Sequence, residues 1–107
     1  VRMAVLGELE AAVMGILWAR TGRLSVRDVH VLLAHDRDLA YTTVMTVLDR
    51  LAKKGLVSRK LDGRAWLYEA ARTRTEEVAA GLIDELGKLE PPARAEVLAA
   101  VLKAFGA

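Results

Sequence analysis

Apolar side chains recur every three or four residues in three successive segments, and this spacing predicts three amphipathic helices. The first helix runs from about residue 8 to 20, the second from 26 to 35 and the third from 41 to 54. Ser25 and Asp28 have the spacing of a capping box at the start of the second helix. The positions predicted to face the core are Leu9, Val13, Ile16, Leu17, Val29, Leu32, Leu33, Val44, Val47, Leu48 and Leu51.

After Gly55, a residue type that commonly ends a helix, the pattern changes to alternation. Segments 56–61 and 64–69 alternate between apolar and polar residues, and Asp62-Gly63 lies between them. An Asp-Gly pair between two such segments predicts a β-hairpin with that pair as its turn. Three helices followed by a hairpin is the order of a winged helix-turn-helix. The predicted fold is therefore mainly α with a small β-hairpin.

A short helical region is predicted to follow the winged-helix domain, which we assign to residues 1–71. In residues 72–107, Thr73 and Glu76 form a second capping box, and Pro91 begins the last helix. Two short helices cannot bury their apolar stripes completely against each other, so a partner subunit is the simplest cover. The alternative is that both helices fold back on the winged domain. The residues assigned to dimerisation are Val78, Leu82, Ile83, Leu86, Val97, Leu98, Val101, Leu102 and Phe105.

Positive charge is concentrated in one part of the chain. Between residues 50 and 72 seven Lys or Arg residues face two acidic ones, a net charge of +5, whereas the whole chain carries +2. Such a concentration is typical of proteins that bind a polyanion. A solvated face on a basic protein would give the same count, so charge alone does not decide between the two interpretations.

The polar face of the third helix suits the major groove of DNA. Thr42 and Thr43 lie in its first turn, and Thr46 lies one turn further on the same face. Their hydroxyl and methyl groups can contact phosphates, base edges or a thymine methyl. Arg50, a further turn along, can bind a guanine or a phosphate. The alternatives are that the threonines only cap the helix and that Arg50 pairs with a neighbouring carboxylate.

Further cations surround this row of side chains. A cationic hairpin tip can follow the DNA backbone or enter the minor groove, although charged edges are also common on ordinary hairpins. The alternation predicts that Trp66 and Tyr68 pack the hairpin on the core rather than stack on single-stranded bases. The flanking cations assigned to double-stranded DNA are Lys53, Lys54, Arg59, Lys60 and Arg64.

Three motifs between residue 7 and about residue 70 carry a resemblance to a known family. They are LSVRDV at 24–29, AYTTVMTVLDRLAKKGL at 40–56 and DGR at 62–64, and they are accompanied by Leu9-Glu10, Val13-Met14 and Leu17-Trp18 in the first helix and by Leu67-Tyr68-Glu69 after the turn. In these motifs the sequence resembles the BlaI/MecI/CopY family of penicillinase-type repressors. The resemblance implies DNA contacts by Thr42, Thr43, Thr46 and Arg50, supported by Lys54 and Arg64.

The same resemblance implies a homodimer that binds dyad-symmetric operators with TACA/TGTA-like half-sites. Members of the family often repress beta-lactamase or related resistance genes, and a membrane sensor protease relieves the repression. The copper-responsive branch carries clustered cysteines in its tail, and this sequence contains no cysteine. We therefore expect no copper sensing through that motif.

Other function classes find less support. The two serines, Ser25 and Ser58, lie at a predicted cap and in a strand, and His30 and His35 are five residues apart rather than at the i, i+4 spacing of a metal pair. We therefore expect no enzyme, no metal and no cofactor. A winged-helix module that binds proteins instead of specific DNA stays open, as does a repressor that responds to a small molecule.

Composition and hydropathy suggest where the protein is located. The lack of cysteine fits a reducing compartment. The apolar start is too short for a signal peptide, and no apolar run approaches the ~20 residues that span a bilayer. We therefore expect a cytoplasmic protein without membrane insertion.

Overall fold

A computed structural model describes residues 7–106, so residues 1–6 of the predicted winged-helix domain and Ala107 of the predicted tail lie outside the described residues. The prediction of a winged helix-turn-helix followed by a helical region is confirmed. The elements in chain order are α1 (Glu8–Ala19), β1 (Leu24–Ser25), α2 (Val26–Leu33), α3 (Tyr41–Lys53), β2 (Val57–Asp62), β3 (Ala65–Ala70), α4 (Arg74–Gly87) and α5 (Pro91–Ala104).

The core lies where α1, α2 and α3 bring their apolar stripes together under the sheet. Val13, Val29 and Leu51 are fully buried there, and each such side chain contributes about 1.5–3 kcal/mol by leaving water. The remaining buried core residues are Met14, Leu17, Val26, Leu33, Val44, Val47, Leu48, Leu56, Val57 and Tyr68. Three positions predicted to be buried, Leu9, Ile16 and Leu32, are only partly buried at its rim.

Both predicted capping boxes are present. The Asp28 amide donates to Ser25 Oγ over 3.1 Å, and the Ser25 amide donates to the Asp28 carboxylate over 3.0 Å. Thr73 and Glu76 exchange the same two hydrogen bonds at the start of α4. Helix α2 ends at Leu33, two residues earlier than predicted.

The sheet has three antiparallel strands in the order β1-β3-β2, where the sequence predicted a hairpin alone. Strand β1 consists of Leu24–Ser25 and pairs with Leu67 and Tyr68. The turn of the hairpin was predicted one residue too early. Asp62 still pairs with Ala65, and the two residues of the turn are Gly63 and Arg64. Gly63 adopts a φ of +62°, which a two-residue turn of this kind requires at its first central position.

Helices α4 and α5 do not fold back over the winged domain, so the alternative arrangement of the tail is wrong. The apolar stripe of α4 is exposed at Leu82 (56 %) and Ile83 (68 %), and α5 has no buried residue. The corner between the two helices is held by the Arg94 guanidinium, which donates to the carbonyls of Leu86 and Leu89. None of the helices in residues 7–106 is long and apolar enough to cross a membrane.

An ion pair joins the start of α1 to the end of α3. Lys54 Nζ lies 2.8 Å from Glu10 Oε2, and the amide of Gly7 donates to the other carboxylate oxygen over 3.1 Å. The side chain of Glu10 is only 12 % exposed. The hydrogen bond from Lys54, followed by the one from Gly7, holds the pKa of Glu10 below its ordinary value of 4.5.

We expect Glu10→Gln to lower the free energy of unfolding at pH 7 by about 1–3 kcal/mol, because it removes the charge that Lys54 and Gly7 stabilise. A lowered folded-state pKa stabilises the fold above the unfolded-state pKa, and this contribution is lost as the pH falls through the folded-state value. The difference between the wild type and Glu10→Gln should therefore be largest above about pH 5 and shrink below pH 4.5. Urea unfolding across this range measures it.

Glu8→Gln is the matched control, because Glu8 makes an exposed ion pair with Arg37 at the same helix start. Its effect on unfolding should be clearly smaller, since solvent screens exposed pairs. Equal effects of the two substitutions would contradict the role assigned to Glu10.

Candidate nucleic-acid interface

The polar face of α3 presents a row of exposed side chains, which we call the reading row: Thr42, Thr43, Thr46 and Arg50. The apolar stripe on the opposite side is buried, and this fixes the rotation of the helix. Thr46 Oγ1 donates to the carbonyl of Thr42 over 2.9 Å, which orients its methyl group and leaves the oxygen able to accept.

The start of α3 has no side-chain cap. The N-cap residue is Ala40, which makes no side-chain hydrogen bond, so the predicted alternative of capping threonines does not hold. Some amides of a first helical turn have no partner within the helix, and the helix dipole adds a partial positive charge there. An anion placed at this turn would meet these amides beside Thr42 and Thr43.

Arg50 extends from the far end of the row. Its side chain is exposed, and within residues 7–106 no carboxylate lies within 4.0 Å of it. The alternative that Arg50 pairs with a neighbouring acid is therefore wrong for the described part of the chain. Lys60 on β2 and Arg64 in the turn are likewise exposed, with no ion pair to any residue from 7 to 106.

Asp49 binds two of the predicted DNA-contacting cations. Lys53 Nζ lies 3.1 Å from one carboxylate oxygen and Arg59 Nη1 lies 3.4 Å from the other. The hydrogen bond from Lys53 is the main reason why the pKa of Asp49 is lowered, and attraction to both cations adds to it. The Arg59 guanidinium also lies over the ring of Trp66, 4.6 Å from its centroid. Asp49 thus connects the hairpin to α3.

The structure adds to the sequence analysis at two further positions. Lys54, predicted to support the DNA backbone, pairs with Glu10 at the side of α3 that faces α1. Trp66, predicted to pack on the core with Tyr68, is 41 % exposed, whereas Tyr68 is 2 % exposed. The two aromatic residues share a face of the hairpin, but Trp66 lies beyond the edge of the core, where Arg59 covers it.

Sequence reasoning missed two exposed side chains beside the reading row. Tyr41 is 46 % exposed and Met45 is 44 % exposed, and their i, i+4 spacing continues to Asp49. The rings of His30 and Tyr41 make a T-shaped contact with centroids 5.9 Å apart, while His30 Nε2 lies 2.7 Å from the carbonyl oxygen of Leu39. The exposure of Tyr41 and Met45 could have been predicted from the sequence, because side chains outside the buried stripe of an amphipathic helix face solvent.

The interface contains no metal centre in the part of the chain described here, since residues 7–106 bring together no group of three or more His, Asp or Glu side chains. The chemistry available is that of hydroxyls, backbone amides and guanidinium or ammonium groups on one exposed surface. These groups bind phosphate oxygens and the acceptor edges of bases.

Comparison with known proteins gives a consistent result. The penicillinase repressor family matches residues 6–105. Transcriptional regulator BlaI of Mycobacterium tuberculosis is 52% identical over 89 residues, which are 83% of this chain and 64% of that protein. The chain therefore spans slightly less than two thirds of the length of this curated relative.

Solved structures share the architecture. A probable transcriptional regulator from Pseudomonas aeruginosa superposes with a TM-score of 0.55 at 25% identity, over 96% of this chain and 80% of that one. BpsR from Bordetella bronchiseptica superposes with a TM-score of 0.57 at 21% identity, over 98% of this chain and 83% of its own. At the 21% identity of BpsR, the structural similarity shows the fold alone.

Proposed function

We propose, because the chain belongs to the penicillinase repressor family, that it is a transcriptional repressor that binds specific DNA as a homodimer. The observation that carries this proposal is the reading row on α3, in which Arg50 makes no ion pair with a carboxylate of residues 7–106. The residues that contact DNA in this proposal are the reading row, Lys60 and Arg64. Lys53 and Arg59 would contact the DNA backbone after their ion pairs with Asp49 break. Lys54 has a structural role instead.

The geometry of α3 supports docking in the major groove. Its 13 residues make a helix about 20 Å long, and the groove of B-DNA admits a helix of this diameter. The uncapped first turn would bind a phosphate, Thr43 and Thr46 would contact base edges, and Arg50 would bind a guanine or a phosphate. Arg64 at the tip of the hairpin would then reach the neighbouring backbone or the minor groove.

The exposed stripe of α4 and α5 supports a homodimer. We assign residues 1–71 to DNA binding and residues 72–107 to dimerisation. Apolar side chains as exposed as Leu82, Ile83 and Phe105 are a large patch for a small protein, and such patches are normally covered by a partner. A two-fold dimer would present two copies of α3 to two half-sites, as a dyad-symmetric operator requires.

Two further parts of the proposal rest on the family alone. The regulated genes would be beta-lactamase or related resistance genes, and a membrane sensor protease would relieve repression. A repressor acts on chromosomal DNA, so its location would be the cytoplasm.

The decisive measurement is fluorescence anisotropy over a salt series, with a duplex that carries a TACA/TGTA dyad and a scrambled duplex. We expect dyad-dependent binding with a steep salt slope, because each neutralised phosphate releases counterions. Arg50→Ala should weaken dyad binding by about 1–3 kcal/mol if Arg50 binds a base, with little change on the scrambled duplex.

Lys103→Ala, an exposed cation on α5, is the control and should leave both duplexes unaffected. Equal and weak binding of the wild type to both duplexes would contradict the proposal. It would favour a winged-helix module that binds proteins.

Asp49→Asn should increase affinity for both duplexes and steepen the salt slope. The physical reason is that the substitution releases Lys53 and Arg59, and each additional phosphate contact adds about 0.9 to the slope. Specificity for the dyad should fall, since the added contacts do not depend on sequence. Asp84→Asn on α4 changes the net charge equally and should leave the slope unchanged. An unchanged slope in Asp49→Asn would show that Lys53 and Arg59 do not reach DNA.

Leu82→Asp should raise the dissociation constant of the dimer at least about tenfold. The reason is that burying an unpaired charge at an interface costs free energy. Light scattering over a concentration series measures it. Leu61→Asp is the matched control, since Leu61 on the hairpin is 52 % exposed and Leu82 is 56 % exposed. If Leu82→Asp dimerises as well as the control, the assignment of α4 to the dimer interface is wrong.

A further inference from the structure

A cleft of about 650 Å³ separates the winged domain from α4. We call it the hinge cleft, and its walls are the end of α1 with Trp18 and Arg20, the end of β3 with Glu69, and the connection to α4 with Arg72 and Arg74. The cleft is broadly open to solvent, so a small molecule bound there would stay partly exposed. The sequence showed no such pocket, because its walls come from segments about 50 residues apart.

The indole of Trp18 is a fixed wall of the hinge cleft. Trp18 Nε1 donates to the carbonyl of Arg72 over 3.0 Å, which fixes the orientation of the ring. The guanidinium of Arg74 lies 5.5 Å from the centroid of the same ring. Trp18 packs against the hydrophobic core and Arg74 lies over its ring, so a planar ligand stacks on the indole where it displaces this guanidinium.

The walls of the hinge cleft carry three arginines and two glutamates, and the glutamates do not pair with all of the arginines. Its two carboxylates are engaged elsewhere, because Glu69 pairs with Arg23 at 3.3 Å and Glu76 caps the amide of Thr73. The guanidinium of Arg72 is likewise taken up by the carboxylate of Glu77, at 2.7 Å.

Two cations of the cleft are left over. Across residues 7–106, Arg20 and Arg74 make no ion pair with any carboxylate. Guanidinium groups bind carboxylates in a planar, two-pronged geometry, so two of them in one cleft favour an anionic ligand.

We propose that the hinge cleft binds a small aromatic carboxylate. The ring of the ligand stacks on Trp18, and its carboxylate accepts hydrogen bonds from Arg20 and Arg74. A neutral aromatic molecule would leave the guanidinium groups without an anion, and an aliphatic acid would make no stacking contact with the indole. The two features together therefore select this class of ligand.

Occupation of the cleft would change DNA binding, a step that rests on the proposed function. Trp18 lies in the last turn of α1 and Arg20 directly follows this helix, whereas Arg74 is the first residue of α4. A ligand held between them alters the angle at which α4 leaves the winged domain. In a dimer formed through α4 and α5, that angle sets the separation of the two copies of α3, and operator half-sites have a fixed separation.

Isothermal titration calorimetry on the 107-residue chain without DNA tests the site. The probes are benzoate and 1-naphthoate, with benzamide and 1-naphthamide as uncharged controls of the same shape. We expect saturable binding of the acids, and binding of the amides weaker by about tenfold or more, since a charge-assisted hydrogen bond is lost. Arg20→Gln and Arg74→Gln should each raise the dissociation constants of the acids by about tenfold.

Arg27→Gln is the matched control, because Arg27 is an exposed arginine of α2 outside the cleft. It should bind the acids like the wild type. In Trp66→Phe, Trp18 is the remaining tryptophan, so quenching of its emission places the ligand at this ring. No saturable binding of either acid, equal binding of acids and amides, or unchanged binding to a chain that carries both Gln substitutions would overturn the site.

The regulatory step is tested by anisotropy with the dyad duplex at a saturating concentration of 1-naphthoate. We expect the dissociation constant to change by at least about fivefold in the wild type, and not in the chain with both Gln substitutions. An unchanged constant in the wild type would overturn the regulatory step. Failure of the proposed function would appear elsewhere, as equal binding of the dyad and scrambled duplexes without any probe.

Discussion

Val44, Leu48 and Leu51 on one side of α3 are completely buried against α1, α2 and the sheet, and the rest of the molecule depends on this contact. The three side chains together provide several kcal/mol of hydrophobic stabilisation. They also fix the rotation of α3 about its axis. A rotation that turned Thr46 toward the core would expose a leucine and bury a hydroxyl, and both changes cost free energy. The direction of the reading row is thus set by packing on the opposite side of the helix.

Acidic residues divide the cations around α3 into two groups. Asp49 holds Lys53 and Arg59, and Glu10 holds Lys54, so these three support the arrangement of helix, hairpin and α1. Arg50 is outside these pairs and keeps its charge available to a ligand. An exposed pair such as Asp49–Lys53 is weak enough for a phosphate to compete with it, whereas the more buried Glu10–Lys54 pair is not. Net positive charge alone therefore overstates the number of cations that are unpaired and available to a ligand.

The elements that could be predicted from the sequence are those specified by nearby residues. The three core helices follow from local apolar spacing, and the capping boxes at Ser25 and Thr73 each need only four residues. What could not be predicted depends on distant partners. Strand β1 has two residues and exists only by pairing with β3, and Glu10 meets Lys54 across 44 positions. The identity of the reading row was predictable because it is the complement of the buried stripe; the pairing of its neighbours was not.

The connection between β3 and α4 is held rigidly by hydrogen bonds. Because it lies at the start of α4, a small change in its geometry would produce a large displacement at the far end of the tail. Arg72 receives the hydrogen bond of Trp18 on its carbonyl and binds the carboxylate of Glu77 with its guanidinium, so one residue ties α1 to α4. The Thr73 cap then fixes the direction in which α4 begins. The exposed stripe of α4 and α5 lies beyond this point, whereas α3 lies before it. Any interaction that rotates α4 here must also rotate α3 relative to whatever covers that stripe, because α4 is connected to the winged domain at this point, through Arg72 and the contact of Arg74 with Trp18.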